Sequence, residues 1–272
     1  SENSVIQHQT VKGRFAPSPT GPLHMGSLVA AMASYLFAKK QQGSWIIRVE
    51  DLDPPREKKG MAEQQIKTLQ LFGLNSDEPI VWQSQRTEIY EQAINQLLLE
   101  DKAFYCSCSR KQLQSQNGIH NLCKTPENRQ QSSVRLRMPN IDLAFVDKIY
   151  GAQKQNLARD VGDVIIKRAD GLFAYQLAVV IDDALQGITQ IVRGADLLES
   201  TLRQIYLQHQ LNLYTPEYFH IPLVLDQSGQ KLSKSQWAKA LNEEDCFHTF
   251  KLAYQHLGQN SSVLNRQHNA ET

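Results

Sequence analysis

The feature that most constrains the fold is a strand–loop–helix–strand pattern near the start of the chain. Residues 11–15 (VKGRF) predict a short strand, a helical period of apolar residues begins at Gly26 and stops before Gly43, and residues 44–51 (SWIIRVED) predict a buried strand. Two strands joined in this way form a βαβ unit, which places both strands in parallel in one sheet. We therefore expect an α/β fold with a parallel sheet. Ligands of such sheets bind beyond the carboxyl ends of the strands, where the loop before the helix lies.

The rest of the chain predicts further α/β structure interrupted by an insertion. Helices are expected over about 61–72 and 85–100, the second with Ser84 as its N-cap. Residues 103–160 differ, because they hold four short extended runs, a cysteine cluster and a polar stretch rich in Gln and Asn. The predicted segments are the first half of the α/β domain (1–102), an inserted subdomain (103–160), the second half of the domain (161–225), and a loop with a short helical C-terminal segment (226–272).

Composition excludes several classes of protein. The 29 Lys and Arg residues nearly balance the 28 Asp and Glu residues, so the net charge is +1 and gives no overall attraction to nucleic acid or membranes. No apolar run approaches the roughly 20 residues that span a bilayer, and the N-terminus lacks the regions of a signal peptide. Four cysteines in 272 residues do not make a disulfide scaffold. We expect a soluble cytoplasmic protein.

The loop APSPTGPLHMGS (16–27) is the first candidate site. A helix N-terminus has unpaired backbone N–H groups and partial positive charge, and therefore attracts anions. Gly21 and Gly26 would let a ligand approach the backbone, and His24 could donate a hydrogen bond to a phosphate or ribose oxygen. The same residues also fit a proline-rich turn whose histidine only caps the helix, and the loop by itself does not decide between the two.

The second candidate site is KLSKS (231–235). Lys231 and Lys234 make a cationic loop, which could neutralise the charge that develops on a polyphosphate as it leaves. A solvated basic turn is the alternative interpretation of this segment taken alone.

The two loops together resemble the HIGH and KMSKS signatures of the class I aminoacyl-tRNA synthetases. PSPTGPLHMG is similar to the first and KLSKS to the second. Four further stretches resemble the glutamyl-specific branch: RVEDLDPPR (48–56), FAYQLAVVIDD (173–183), IVRGADLLEST (191–201) and HIPLVLDQSGQKLSKS (220–235). Full glutamyl-tRNA synthetases continue with anticodon-binding domains, whereas few residues follow Ser235 here. The chain is thus more similar to the short paralogues that attach glutamate to queuosine in tRNA(Asp).

The resemblance implies a Rossmann-like catalytic domain with an inserted zinc-bearing subdomain. It implies a monomeric enzyme that activates L-glutamate with ATP and Mg²⁺ without tRNA, and then transfers the glutamate to queuosine at the wobble position of tRNA(Asp). The catalytic residues implied are His24, Lys231 and Lys234. The ATP contacts implied are His24, Gly26 and Lys234. The glutamate contacts implied are Arg14, Phe15, Ala16, Pro17, Ser18, Glu50, Tyr175 and Arg193.

The residue types at these positions fit a substrate with two carboxylates and one ammonium group. The Arg14 guanidinium can bind a carboxylate through two parallel hydrogen bonds, and Arg193 offers a second such group. Glu50, at the end of the second strand, suits the α-amino group, and Ser18 can add a hydroxyl or backbone contact. Taken singly, each residue also fits an ordinary surface charge or a packed side chain. Which arginine would hold which carboxylate stays open.

The cysteine cluster of the insertion predicts a metal site. Cys106 and Cys108 lie in one extended run, so both sulfurs point to the same face, and His120 and Cys123 follow after a polar loop. Three thiolates and an imidazole form a tetrahedral zinc site, whereas the alternative is a set of reduced cysteines packed in a small subdomain. The polar composition of the insertion favours zinc in a structural role. The short paralogues also carry zinc here, but their pattern has a tyrosine where His120 stands.

Three other functions compete with the modification of tRNA(Asp). The first is a truncated glutamyl-tRNA synthetase that charges the tRNA 3′ end. The second is a binding or regulatory protein that has a synthetase fold without catalysis, which the presence of His24, Lys231 and Lys234 argues against. The third is a zinc-bearing nucleic-acid-binding module, which the near-zero net charge disfavours.

Overall fold

The parallel α/β pattern is confirmed. A computed structural model of the protein describes residues 10–123, 126 and 128–222. Within them, the first unit consists of β1 (Lys12–Phe15), α1 (Met25–Lys40), β2 (Ser44–Val49) and β3 (Val81–Trp82). Strand β2 pairs in parallel with both β1 and β3. The loop between β1 and α1 therefore lies at the carboxyl edge of this sheet, as the sequence pattern predicts.

Helix α1 is buried more completely than a single apolar stripe would allow. Leu28 and Met32 are buried as the helical period predicts, whereas Tyr35 and Leu36 are only half-buried. The alanines of the helix are buried as well, because their small side chains let α1 pack closely against several elements at once.

The second half of the parallel core follows the insertion. Its elements are α5 (Tyr175–Leu185), β9 (Gln190–Gly194), α6 (Thr201–Gln210) and β10 (Glu217–Ile221). Strands β9 and β10 pair in parallel, and the Thr189 amide donates to the Lys12 carbonyl at 2.9 Å, which joins β9 to β1. The sequence pattern predicts one helix of about 16 residues after β9, but its first turns, Ala195–Ser200, form a 3₁₀ helix.

One helix follows β2 in the chain and another follows β3. They are α2 (Met61–Leu71) and α3 (Thr87–Leu99), close to their predicted bounds. The prediction of Ser84 as the N-cap of α3 is wrong, because Arg86 holds that position. The Ser84 hydroxyl instead donates to a carboxylate oxygen of Asp51 at 2.6 Å, and its amide donates to the other oxygen at 2.9 Å.

Within its described residues, the insertion contains the four predicted extended runs and one short α-helix. They are β4 (Ala103–Cys106), α4 (Arg110–Gln114), β5 (Ser133–Leu136), β6 (Asp142–Asp147) and β7 (Gly151–Asn156). Strands β6 and β7 form an antiparallel hairpin, whereas β5 pairs antiparallel with β4 and with β8 (Val164–Lys167). The sequence pattern places the segment of β8 after the insertion, but its hydrogen bonds join it to the sheet of the insertion.

Some predictions fall on other residues. The KLSKS loop with Lys231 and Lys234, and the predicted helical segment within 226–272, lie outside the described residues. Among the described helices, none is both long enough and apolar enough to cross a membrane.

Candidate active site and metal centre

The loop between β1 and α1 forms the wall of a cavity of about 400 Å³. The cavity is lined by Phe15, Ala16, Pro17, Ser18, Thr20, Gly21, Pro22, Leu23, His24, Ser27 and Gln65. The buried Gln65 of α2 holds the loop in place. Its Nε2 donates to the carbonyl oxygens of Ser18 at 3.1 Å and Gly21 at 2.6 Å. The Pro/Gly-rich segment is therefore a shaped surface around a cavity at the N-terminus of a 16-residue helix.

His24 caps α1 and also faces this cavity. Its Nδ1 accepts a hydrogen bond from the Ser27 amide at 3.2 Å, which is the capping role that the sequence leaves open. A neutral imidazole that accepts at Nδ1 carries its proton on Nε2, and this nitrogen lies 3.1 Å from the Ser27 hydroxyl oxygen. A Cβ on Gly26 would lie 3.3 Å from the His24 ring, so glycine gives the ring room to lie over the helix start. The His24 ring therefore caps α1 through Nδ1 and also lines the cavity.

A second cavity of about 560 Å³ adjoins the first and shares Ser18 and Thr20 with it. Glu50 and Tyr175 line this second cavity. The loop is tied to the second strand here, because the Glu50 amide donates to the Pro17 carbonyl at 2.9 Å. Of the predicted contacts, His24 lines the first cavity together with the glutamate contacts Phe15, Ala16, Pro17 and Ser18, and Ser18, Glu50 and Tyr175 line the second.

Arg14 is buried beside these cavities, but its bidentate face is taken by the protein. Nε and Nη2 each donate to a carboxylate oxygen of Asp183 at 2.9 Å, and Arg48 Nη2 donates to the same carboxylate at 2.9 Å. Burial alone would raise the pKa of Asp183, but the two arginines lower it to about 2. The sequence-based expectation that Arg14 grips a substrate carboxylate with both of these nitrogens does not fit this arrangement. Nη1 is the part of the guanidinium that Asp183 does not contact.

Glu50 is a buried acid with an unsatisfied oxygen. Its Oε1 lies 3.4 Å from Arg48 Nη2, while Oε2 is buried and has no hydrogen-bond partner among the described residues. Burial raises the pKa of Glu50 to about 7, against the opposing influence of Arg48 and Arg14. A buried acceptor without a partner is costly, and a cationic ligand group would satisfy it.

Arg193 has a matching unsatisfied donor. Its Nε donates to His220 Nε2 at 3.0 Å and its Nη2 to Thr201 Oγ1 at 3.0 Å, but the buried Nη1 finds no partner among the residues that the structure describes. Burial and the charge of Glu50 raise the pKa of Tyr175 above its ordinary value, against the opposing influence of Arg193 and Arg14. The predicted glutamate contacts therefore lie within electrostatic range of one another. An unpaired carboxylate oxygen and an unpaired guanidinium nitrogen suit a ligand that is both cation and anion.

The four predicted metal ligands lie together. The Sγ atoms of Cys106, Cys108 and Cys123 and a ring nitrogen of His120 all lie within 4.8 Å of one another. Cys106 Sγ is 3.3 Å from His120 Nε2. Zinc bonds of about 2.3 Å to sulfur and about 2.0 Å to nitrogen place two such donors about 3.5 Å apart in a tetrahedron, so the donor set and its spacing fit zinc.

Groups around the cluster orient its ligands. His120 Nδ1 donates to Asp163 Oδ2 at 2.8 Å, which leaves the Nε2 lone pair facing the sulfurs. Burial alone would raise the pKa of Cys106, but hydrogen bonds from the Cys108 amide and from Arg135 hold it below its ordinary value. Burial and the neighbouring sulfurs raise the pKa of Cys123 to about 12. A bound dication would allow these crowded thiols to ionise together.

Sequence reasoning did not single out several residues that position the site. They are Arg48, Gln65, Asp147, Asp163, Asp183 and His220. A signal existed for two of them, because Arg48 interrupts the apolar strand WIIRV and Asp183 ends the apolar helical run AVVIDD. A charge inside an apolar run indicates a buried ion pair, but it does not identify the partner.

Comparisons with known proteins agree with the resemblance. Residues 10–249 match the family of class I tRNA synthetases (E and Q), catalytic domain. A relative from Xanthomonas oryzae pv. oryzae, named glutamyl-Q tRNA(Asp) synthetase, is 51% identical over 256 residues, which cover 94% of this chain and 85% of the relative. A relative of the same name from Pseudomonas fluorescens is 49% identical over 249 residues, which cover 91% of this chain and 84% of the relative.

Solved structures give the same fold. The crystal structure of a glutamate tRNA ligase from Elizabethkingia meningosepticum, in complex with its amino acid, superposes with a TM-score of 0.76 at 30% identity. The match covers 85% of this chain and 53% of the ligase, so the chain spans about half the length of that structure. The predicted Rossmann-like class I synthetase fold is confirmed.

Proposed function

The chain belongs to the glutamyl-Q tRNA(Asp) synthetase family of class I tRNA synthetases, and from this premise we propose that it activates L-glutamate with ATP and transfers it to queuosine in tRNA(Asp). The observation that carries the proposal is the pair of unsatisfied buried atoms, Glu50 Oε2, in a residue that lines the second cavity, and Arg193 Nη1. They offer an anion for the α-ammonium group of glutamate and a cation for one of its carboxylates.

The first half-reaction needs positioning more than acid–base chemistry. A carboxylate oxygen of glutamate attacks the α-phosphorus of ATP, the bond to the bridging oxygen breaks, and pyrophosphate leaves. His24 and the start of α1 would hold the nucleotide, while Mg²⁺ would bind the phosphates. Lys234 and Lys231, from the same KLSKS segment, would stabilise the pyrophosphate as it leaves.

The second half-reaction transfers the glutamyl group. A hydroxyl of queuosine attacks the carbonyl carbon of the adenylate, its proton is lost, and AMP leaves. The alternative of charging the tRNA 3′ end is not favoured, because relatives at about 50% identity that match this chain over most of their own length bear the glutamyl-Q name.

We propose zinc as the ion of the Cys106–Cys108–His120–Cys123 cluster, where it would serve a structural role. All four ligands would come from the chain, so no coordination position of the ion would be open to a substrate. The reaction above needs no such position. The enzyme would act as a monomer in the cytoplasm, where tRNA, ATP and glutamate are available.

ATP–pyrophosphate exchange without tRNA tests the activation step. The wild-type protein should exchange with L-glutamate and not with L-glutamine or L-aspartate. Lys234→Ala should lower the exchange rate about a hundredfold with little change in glutamate binding, because the lysine acts on charge that develops only as pyrophosphate leaves. No glutamate-dependent exchange by the wild-type protein would refute the proposed function, and an unchanged rate in Lys234→Ala would refute the role of that lysine.

A further inference from the structure

Arg193 and His220 face each other across two parallel strands. They are direct partners in the register of β9 and β10, and Arg193 Nε donates to His220 Nε2 at 3.0 Å. Thr201 Oγ1, at the start of α6, accepts from Nη2 at 3.0 Å. Both contacts hold the plane of the guanidinium, so the direction of Nη1 is set by residues that would not touch a substrate.

The buried His220 ring is in turn fixed by Asp147. Its Nδ1 lies 2.6 Å from Asp147 Oδ1, and both side chains are fully buried. Because Nε2 accepts from Arg193, the ring proton must lie on Nδ1 and be donated to Asp147. Burial and the nearby Arg193 hold the pKa of His220 below its ordinary value despite Asp147, which agrees with a neutral ring.

Asp147 connects this chain of contacts to the insertion. It is the last residue of β6, and its Oδ2 accepts from the amides of Ile149 at 3.0 Å and Tyr150 at 2.9 Å. The next residue, Lys148, donates its amide to the Tyr218 carbonyl of β10 at 2.9 Å. The end of the β6–β7 hairpin is therefore fixed to the strand that carries His220.

We propose that Asp147 and His220 are positioning residues for glutamate recognition, which hold Arg193 so that Nη1 meets a substrate carboxylate. The proposal rests on the proposed function and assigns to the hairpin of the insertion a part in amino-acid affinity. Neither residue touches the substrate; each acts through the next one.

Two substitutions of His220 separate positioning from a merely structural role. His220→Gln can place an amide oxygen near the former Nε2 and accept from Arg193. His220→Asn can still donate to Asp147, but its side chain is too short to reach Arg193. We expect the KM for glutamate in ATP–pyrophosphate exchange to rise about tenfold in His220→Asn, with an unchanged KM for ATP, and to stay within about threefold of wild type in His220→Gln.

Controls make the outcome decisive. His209→Asn, at an exposed position of α6, should leave both KM values unchanged. If His220→Asn does not fold, Asp147→Asn is compared with Asp142→Asn on the same hairpin. Only the first should raise the KM for glutamate, because the Asp142 carboxylate bonds only to Asn156 and Lys154 among the described residues. Equal glutamate KM values in wild type and in His220→Asn or Asp147→Asn, or an equal rise in both His220 variants, would overturn the inference. A wild-type protein without exchange activity would instead refute the proposed function.

Discussion

Glu50 is a buried carboxyl group, and its surroundings shift its pKa in opposite directions. Burial favours the protonated form, whereas Arg48 and Arg14 favour the ionised form, and the resulting pKa is about 7. Only the ionised form can pair with the ammonium group of an amino acid. As the proposed partner of the α-ammonium group, Glu50 would therefore couple recognition of the substrate to pH in the range where enzymes work.

The first prediction concerns this coupling. Because the folded protein without ligand holds a proton on Glu50 below about pH 7, glutamate binding must displace that proton at lower pH. The KM for glutamate should fall about tenfold between about pH 6 and about pH 8, as a single carboxyl group with this pKa requires. ATP–pyrophosphate exchange at saturating ATP measures it.

The control removes the titrating group. Glu50→Gln should raise the KM at pH 8 and lose this pH dependence, whereas Glu57→Gln, at another carboxyl group that lines the same cavity, should keep it. A pH dependence that persists in Glu50→Gln would assign the titration to another residue.

At the residue scale, the sequence predicts candidate site residues but not their partners. The motifs gave Arg14 and Arg193, whereas the partner of Arg14 is Asp183, 169 positions away, and the partners of Arg193 come from two other elements. Spacing in a sequence does not show which buried charges meet. The two Arg14 nitrogens that were expected to bind a substrate carboxylate bind Asp183 instead.

At the scale of elements, α2 supports the loop that lines the first cavity. The amide nitrogen of the buried Gln65 binds two loop carbonyls, and it is the group through which this helix holds the turn in shape. A loop that must present its backbone to a nucleotide gains affinity when its conformation is fixed beforehand.

The second prediction tests this support. Gln65→Met keeps the side-chain length but removes both hydrogen bonds, so the KM for ATP should rise about fivefold to tenfold, while the KM for glutamate changes less. Gln64→Met, at an exposed position of the same helix, is the matched control and should behave as wild type. Equal KM values for ATP in the two variants would show that the loop keeps its shape without Gln65.

Elements were predicted from sequence better than their ends were. The period of apolar residues predicts α1, α2 and α3, because a helix that is buried on one side repeats its apolar residues with the helical period. The prediction of the Ser84 cap is wrong because the serine bonds to Asp51 instead. The pairing of β8 with β5 of the insertion was not predicted, because strand pairing is a long-range property.

At the scale of the whole molecule, the insertion is joined to the parallel core at defined points. Asp147 joins its hairpin to β10, and the sheet formed by β4, β5 and β8 carries the metal cluster at its edge. Asp163, just before β8, orients His120 and also accepts from the Met138 amide at 2.7 Å. The metal would therefore stabilise the part of the insertion where three separate segments meet.

The third prediction concerns the metal. Purified protein should contain about one zinc per chain, and chelation or Cys108→Ser should lower the thermal unfolding temperature by several degrees, because the folded cluster binds the ion and the unfolded chain does not hold it as tightly. Ser107→Ala, between the two cysteines, should keep its zinc. Zinc-free protein of unchanged stability would contradict a structural metal site.

The fold class and the position of the cluster could be predicted from sequence, because both rest on local patterns with few alternatives. The contribution of the hairpin to the Arg193 site could not, since Asp147 and His220 are 73 positions apart and the stretch that contains His220 does not show which residue it meets. Net charge also gave no indication of where tRNA binds, because a balanced chain reveals nothing about local patches.

The position at which glutamate is attached tests the central proposal most directly. The protein is incubated with ATP, radiolabelled glutamate and tRNA(Asp) that carries queuosine, and the product is digested with nuclease at mildly acidic pH to preserve the ester. The label should remain with the wobble nucleoside, and tRNA(Asp) without queuosine should stay unlabelled. Label recovered on the 3′-terminal adenosine would contradict the proposal and identify the protein as an enzyme that charges the tRNA end.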